Sequence, residues 1–123
     1  MEKSEELKKY EEERDIMRLE NEQLLRAFNV WLINKSLSNK VIRNHFYNAK
    51  YYIDEYLVYY YVHTSIGYED VRGFFTFCKL KIDDCDVKPF YTSVKKYYTF
   101  LYEKKLVDDE IMESVKKAKE FLD

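Results

Sequence analysis

Glycine and proline are nearly absent from this chain, with two glycines and one proline among 123 residues. Folds rich in β-strands need turn-forming residues at short intervals, so this scarcity argues against strands. Aromatic residues make up 18% of the chain, which argues against disorder and supplies material for a core. A chain of this length can bury one core of modest size. The sequence therefore predicts a single all-α domain.

Membrane-spanning, secreted and metal-binding proteins are not expected from this sequence. It contains no run of about 18 apolar residues, so no transmembrane helix is expected. The charged N-terminal segment MEKSEELKKYEEERD lacks the apolar core of a signal peptide. We therefore expect a cytoplasmic protein in which Cys78 and Cys85 are reduced thiols. Its two cysteines and two histidines match no zinc pattern, so no metal or other cofactor is expected.

Apolar residues spaced three and four apart predict five helices, over roughly residues 5–34, 39–62, 68–80, 89–104 and 109–122. Ser38 is the expected N-cap of the second helix, and Asp108 or Asp109 that of the fifth. Pro89 suits the first turn of the fourth helix, where its missing N–H costs nothing. The stripe expected to face the core from the second helix is Ile42, Phe46, Ala49, Ile53, Leu57 and Tyr60.

The first helix carries a heptad-like seam, formed by Leu7, Tyr10, Arg14, Met17, Asn21, Leu24, Phe28 and Trp31. Two polar residues interrupt the seam before Leu24. The favoured interpretation is a charged helical extension over residues 1–23, followed by a compact bundle of four to five short helices over residues 24–123. The alternative is a coiled coil whose register is set by Asn21. In that case residues 1–31 would bind a second copy or another protein.

Charge is unevenly distributed along the chain, although the net charge is only −2 and the pI is about 5.8. Residues 1–22 carry a net charge of −4, and residues 23–123 carry +2. No acidic residue occurs over residues 23–53 or 87–102. Local fields matter more for binding than the total charge, so these two basic segments are candidates for contact with an anionic partner.

Two predicted helices present basic faces opposite their apolar stripes. On the second helix this face comprises Lys40, Arg43, Asn44, Tyr47 and Tyr51, and on the fourth it comprises Thr92, Lys95, Lys96 and Thr99. Arginine can bind guanine, asparagine can bind adenine, and lysine can contact phosphate. A solvated helix face also carries lysine and arginine, but it usually mixes both signs of charge. The pattern therefore predicts a groove that faces DNA.

Residues suited to catalysis are not arranged in any recognisable motif. The sequence has no glycine-rich phosphate loop, no cluster of metal ligands and no Ser-His or Cys-His arrangement at a known spacing. We therefore expect that the protein is not an enzyme. His45 is expected to pack at the edge of the core, and His63 to interact with a helix end.

The order and spacing of several short motifs resemble a known family. The motifs are Phe28-x-x-Trp31-Leu32, Leu37-Ser38-Asn39-Lys40-Val41-Ile42, Tyr52-Ile53-x-x-Tyr56-Leu57, Val71-x-x-Phe74-Phe75, and the run from Ser93 to Lys104 that contains Phe100-Leu101-Tyr102-Glu103. Together they are similar to the N-terminal SAM-like, or core-binding, domain of tyrosine recombinases and phage integrases. The resemblance extends from about Leu24 to Leu122.

This resemblance implies a helical bundle that clamps one side of duplex DNA, with its second and fourth helices facing the DNA. The DNA contacts that it implies are Ser38, Lys40, Arg43, Asn44, Tyr47, Thr92, Lys95 and Lys96. Tyrosine recombinases cut DNA with a separate catalytic domain, which contains a His-x-x-Arg motif and a nucleophilic tyrosine. The sequence contains no His-x-x-Arg, so the resemblance implies binding without cleavage.

Two alternatives remain open at this point. The segment from Leu37 to His45 also resembles the recognition helix of LuxR-type helix-turn-helix transcriptional regulators, although the second helix is longer than those regulators require. The protein could also be an interaction or self-association module that binds no DNA.

Overall fold

The computed structural model describes residues 4–122, and every regular element in this range is helical. This confirms the prediction of an all-α bundle with five helices. We number them α1 to α5 along the chain. The bounds are Glu5–Ile33 for α1, Asn39–Lys50 for the α-helical part of α2, Val71–Lys81 for α3, Lys88–Glu103 for α4 and Asp109–Lys117 for α5. Helix α2 continues as a π-helix over Tyr51–Val58 and an α-helical turn over Tyr59–Tyr61, and α5 continues as a 3₁₀ turn over Ala118–Phe121.

Side-chain caps fix where the helices begin. The Ser38 hydroxyl accepts a hydrogen bond from the Val41 N–H at 3.3 Å, so Ser38 is the N-cap of α2 as predicted. The Asp108 carboxylate accepts from the Ile111 N–H at 2.9 Å, which identifies Asp108 as the cap of α5. Asp70 caps α3, so this helix begins three residues later than the expected start at Tyr68.

Aromatic side chains fill the centre of the bundle, and their hydroxyl groups bond to one another. The Asp70 N–H donates to the Tyr52 hydroxyl at 3.0 Å, and the Tyr52 and Tyr98 hydroxyls lie 2.6 Å apart. The Tyr98 hydroxyl donates to the Tyr68 carbonyl at 2.7 Å, so the Tyr52 proton is the one shared with Tyr98. This chain of bonds ties α2 and α4 to the loop that precedes α3, and it satisfies polar groups that burial would otherwise leave unpaired.

The seam of α1 that faces the core differs from the predicted one. Its buried residues are Asn21, Leu25, Phe28 and Leu32, whereas Leu24 and Trp31 are only half-buried. The Asn21 amide donates to the Asp54 carboxylate at 2.9 Å, and Lys50 pairs with the same carboxylate at 2.8 Å. Asn21 therefore bonds within its own chain. The predicted boundary after residue 23 falls inside α1, which is continuous across it.

The π-helical segment of α2 changes which side chains face the core. A π-helix closes i→i+5 hydrogen bonds, so each turn contains more residues than an α-helical turn and the face that follows is rotated. Tyr60 was expected in the core but is 49% exposed, while Tyr52 and Tyr56 are buried. Tyr51 was expected on the basic face of α2. Instead its ring packs against Phe74, Phe77 and Phe90, so that assignment is wrong.

Candidate nucleic-acid interface

A concavity of about 580 Å³ lies along the outer face of α4. Three parts of the chain form its wall: the end of α1, helix α4, and the C-terminal segment. The described residues that line it are Trp31, Lys88, Tyr91, Thr92, Lys95, Lys96, Thr99, Lys119 and Leu122. Four of them are lysines and none is acidic. We call this surface the basic concavity.

The periodicity of α4 explains why its polar residues gather on the basic concavity. Lys88, Thr92, Lys95 and Thr99 recur at spacings of four, three and four, which places them on one face of the helix. The opposite face is buried in the core and includes Val94. The four lysine ammonium groups form no ion pair with any residue in the range 4–122. Their positive charge is therefore available to an anionic partner.

The two threonines of the basic concavity are partly committed to their own helix. The Thr92 hydroxyl donates to the Lys88 carbonyl at 3.1 Å, and the Thr99 hydroxyl donates to the Lys95 carbonyl at 2.9 Å. In this arrangement each hydroxyl can accept a hydrogen bond but has no proton left to donate to a phosphate. Thr92 thus lies where the sequence predicted, although the lysines are the groups suited to bind an anion.

The predicted α2 face is exposed but does not line the basic concavity. Lys40, Arg43, Asn44 and Tyr47 all point to solvent, and Tyr47 is 61% exposed. Within the described residues, the Lys40 and Arg43 side chains make no ion pair. Ser38, the remaining predicted contact on α2, uses its hydroxyl oxygen as the helix cap. The predicted site residues therefore fall on two separate surfaces.

A buried hydrogen-bonded group joins α2 to α4 between these two surfaces. His45 Nδ1 lies 2.8 Å from the Ser93 hydroxyl, which also accepts from the Asn48 amide at 3.0 Å. Since the hydroxyl accepts from Asn48, its own proton suits a neutral His45 whose Nδ1 accepts it. Burial, followed by the positive charge of Lys96, lowers the pKa of His45. Lys96 of the basic concavity therefore lies close to this hydrogen-bonded group, which connects α4 to the helix that carries the exposed α2 residues.

Two other side chains of reactive type, Cys78 and His63, are held in packing or hydrogen-bonding contacts within the fold. The pKa of the Cys78 thiol is raised to about 12, chiefly by burial, so it is a poor nucleophile. His63 stacks on Tyr68 with ring centroids 4.1 Å apart, and its Nδ1 lies 2.8 Å from the Thr64 carbonyl oxygen. Residues 4–122 contain no group of three or more His, Cys, Asp or Glu arranged to hold a metal. None of the helices in this range is long and apolar enough to cross a membrane.

Several residues of the basic concavity were not among the predicted site residues. Lys88 lies seven residues before Lys95, so helical spacing alone could have placed it on the same face. Trp31 was assigned to the apolar seam; its half-buried ring packs against Phe28 and Phe100, and the Lys35 ammonium also lies 4.7 Å from the ring centroid. Lys119 and Leu122 reach the concavity through the packing of α5, which no local pattern in the sequence indicates.

Comparison with known proteins adds no assignment, since no family model, curated protein or solved structure matches this chain. Function is therefore inferred from the two basic surfaces and their surroundings.

Proposed function

We propose that this protein is a non-catalytic DNA-binding module that holds duplex DNA through the exposed face of α2 and the basic concavity of α4. The observation that carries the proposal is the basic concavity itself, where four lysines converge without a carboxylate among the described lining residues. A concave surface of one charge sign focuses the electrostatic potential and attracts a polyanion. The resemblance to recombinase core-binding domains supports the same two helices as the DNA-facing ones.

The two surfaces are suited to different parts of DNA. Lysine ammonium groups around the basic concavity match phosphates, which fix position and carry no sequence information. Arg43 and Asn44 on α2 are the groups able to read base edges, because arginine pairs with guanine and asparagine with adenine. We therefore expect affinity dominated by phosphate neutralisation, with limited sequence preference from α2.

The helix-turn-helix alternative has less support in the geometry. Helix α1 is 29 residues long, and α2 continues beyond Lys50 through the π-helical segment. A helix-turn-helix regulator needs a short helix and a tight turn before its recognition helix. The exposed face of α2 is thus better explained as one wall of a larger binding surface.

Salt dependence of binding tests the proposal directly. If the four lysines each neutralise one phosphate, the log–log slope of affinity against salt is about −3.6. Between 50 and 200 mM salt the affinity then falls roughly 150-fold. The measurement is fluorescence anisotropy of a labelled random duplex of about 30 base pairs, titrated at several salt concentrations. Absence of binding at about 50 mM salt rejects the proposal.

A pair of charge-reversed variants locates the DNA on the protein. Arg43→Glu/Lys96→Glu changes one residue on each proposed surface. Lys104→Glu/Lys105→Glu makes the same change in net charge beyond the end of α4, outside the basic concavity. We expect the first variant to lose most of its affinity and the second to lose little, while both keep the helical circular dichroism of the wild type. Equal losses in the two variants would mean that only net charge matters and that the assigned surfaces are wrong.

A further inference from the structure

The solvent face of α1 carries a second heptad stripe, opposite the seam that packs into the core. Its positions follow the spacing three, four, three, four, three, and they are Ile16, Leu19, Gln23, Arg26, Val30 and Ile33. The four apolar members are between 54% and 66% exposed. Over roughly 26 Å of helix, the stripe thus presents two apolar pairs that flank a polar centre.

The order of residues in this stripe reads the same from either end. Two apolar residues are followed by two polar residues and then by two apolar residues. When two copies of α1 lie antiparallel, Ile16 faces Ile33 of the second copy and Leu19 faces Val30 of the second copy. The same alignment places Gln23 beside Arg26 of the second copy. A surface that matches itself under a two-fold axis is what a closed dimer requires.

Charge selects the antiparallel alignment over the parallel one. In a parallel pair, Arg26 would meet Arg26 of the second copy in the middle of the contact, and like charges in a seam oppose pairing. In the antiparallel pair each Arg26 lies next to Gln23 of the other copy. Glu22 pairs with Arg26 at 2.8 Å within each helix, in either arrangement. What the antiparallel arrangement changes is that the two Arg26 positions are offset by about 4.5 Å along the axis, and a glutamine rather than a second arginine stands opposite each of them.

We propose that the protein forms an antiparallel homodimer through the exposed stripe of α1, from Ile16 to Ile33. The heptad spacing and the self-matching order carry this inference, and neither depends on DNA binding. The seam predicted from the sequence is not the one used, because Asn21 and Phe28 lie inside the same chain. The stripe ends at Ile16 because Glu12, the next position along it, is charged and exposed.

Sedimentation equilibrium of the full chain over a concentration series tests the dimer. We expect a monomer–dimer equilibrium that is visible below about 1 mM. Leu19→Glu should weaken it about a hundredfold, because each dimer loses two leucine contacts and buries two carboxylates. The matched control is Leu80→Glu, which makes the same substitution at a side chain that is 80% exposed on α3. A wild type that stays monomeric, or equal weakening by both variants, overturns the proposal.

Cysteine pairing tests the register. In a Cys85→Ser background, which leaves only the buried Cys78, chains with Leu19→Cys are mixed under mild oxidation with chains carrying Val30→Cys. The antiparallel alignment predicts disulfide-linked heterodimers from the mixture and little linkage from Leu19→Cys alone, because its two copies then lie about 16 Å apart along the axis. Efficient linkage of Leu19→Cys with itself would instead show a parallel pair and overturn the proposed alignment.

Discussion

The chain of hydroxyl bonds in the core predicts a large effect from removing one oxygen atom. Tyr98→Phe keeps the ring, which is fully buried, and deletes only the hydroxyl. That hydroxyl donates to the Tyr68 carbonyl and contacts the Tyr52 hydroxyl, so both partners lose a bond. Burial raises the pKa of Tyr52 and Tyr98 well above the usual value, so both hydroxyls stay protonated throughout the neutral range.

The expected loss in the free energy of unfolding is estimated from the hydrogen bonds that Tyr98→Phe removes and the buried groups that it leaves without a partner. Two neutral hydrogen bonds are each worth about 0.5–1.5 kcal/mol, and a buried group without a partner costs about 1–3 kcal/mol. We expect Tyr98→Phe to lower the free energy of unfolding by about 2.5 kcal/mol. For a domain of this size the unfolding entropy is about 0.26 kcal/mol/K, so the melting temperature should fall by about 10 °C. The matched control is Tyr47→Phe, which removes an exposed hydroxyl and should change stability by less than about 0.5 kcal/mol.

Urea unfolding followed by circular dichroism measures the single variants Tyr52→Phe and Tyr98→Phe, their double variant Tyr52→Phe/Tyr98→Phe, and the control Tyr47→Phe. The two single changes remove the same mutual bond, so the double variant should lose less than the sum, with a coupling of about 0.5–3 kcal/mol. A Tyr98→Phe variant as stable as Tyr47→Phe would refute the reasoning. Strict additivity would show that the two hydroxyls do not bond to each other.

Two shorter predictions concern other parts of the fold. Burial lowers the pKa of His45 in the folded protein, so the unfolded chain takes up this proton at a higher pH than the folded chain does. The free energy of unfolding should therefore decrease as the pH falls below about 6.5 towards the folded pKa. His45→Gln should make this decrease smaller between about pH 7 and 5, and an unchanged slope would show that it does not come from His45. Gly73→Ala should destabilise the protein by about 1–3 kcal/mol in urea unfolding, because its added Cβ would meet the Tyr56 hydroxyl and the Asp70 carboxylate; an equally stable variant would show that this close contact relaxes freely.

Local signals account for the part of the fold that the sequence predicts well. Ser38 caps α2, Pro89 lies in the first turn of α4, and the apolar residues of α4 repeat at helical spacing, so each of these features needs only a few neighbouring residues. The lysine face of α4 follows from the same periodicity, because fixing the buried side of a helix also fixes its exposed side. Lys95 and Lys96 were therefore predicted on the side of α4 that faces away from the core, and both line the basic concavity there.

Features that depend on contacts between residues far apart along the chain could not be predicted from the sequence. Tyr51 was predicted on the basic face of α2, but aromatic residues of α3 and α4 cover that side of the helix at its position, and no local pattern indicates this contact. The seam of α1 is displaced because Leu24 and Leu25 are both apolar, and only packing in the folded bundle decides that Leu25 is the one buried. The position of Lys119 at the basic concavity likewise depends on how α5 packs against the rest of the bundle.

The length of α1 explains how a chain with net negative charge can present a basic surface. Trp31, near the end of α1, borders the basic concavity, and the acidic residues at or before Asp15 lie at least 16 positions earlier on the same helix. At a rise of 1.5 Å per residue this is about 24 Å along the axis. The Debye length is about 8 Å at physiological ionic strength, so these carboxylates are largely screened from a phosphate bound at the concavity. At about 0.01 M salt the Debye length grows to about 30 Å, and the acidic half of α1 then opposes the approach of DNA. For the proposed DNA binding, the pI of 5.8 would therefore bear on long-range attraction at low salt, whereas contact affinity at physiological salt would depend on the lysines that line the concavity.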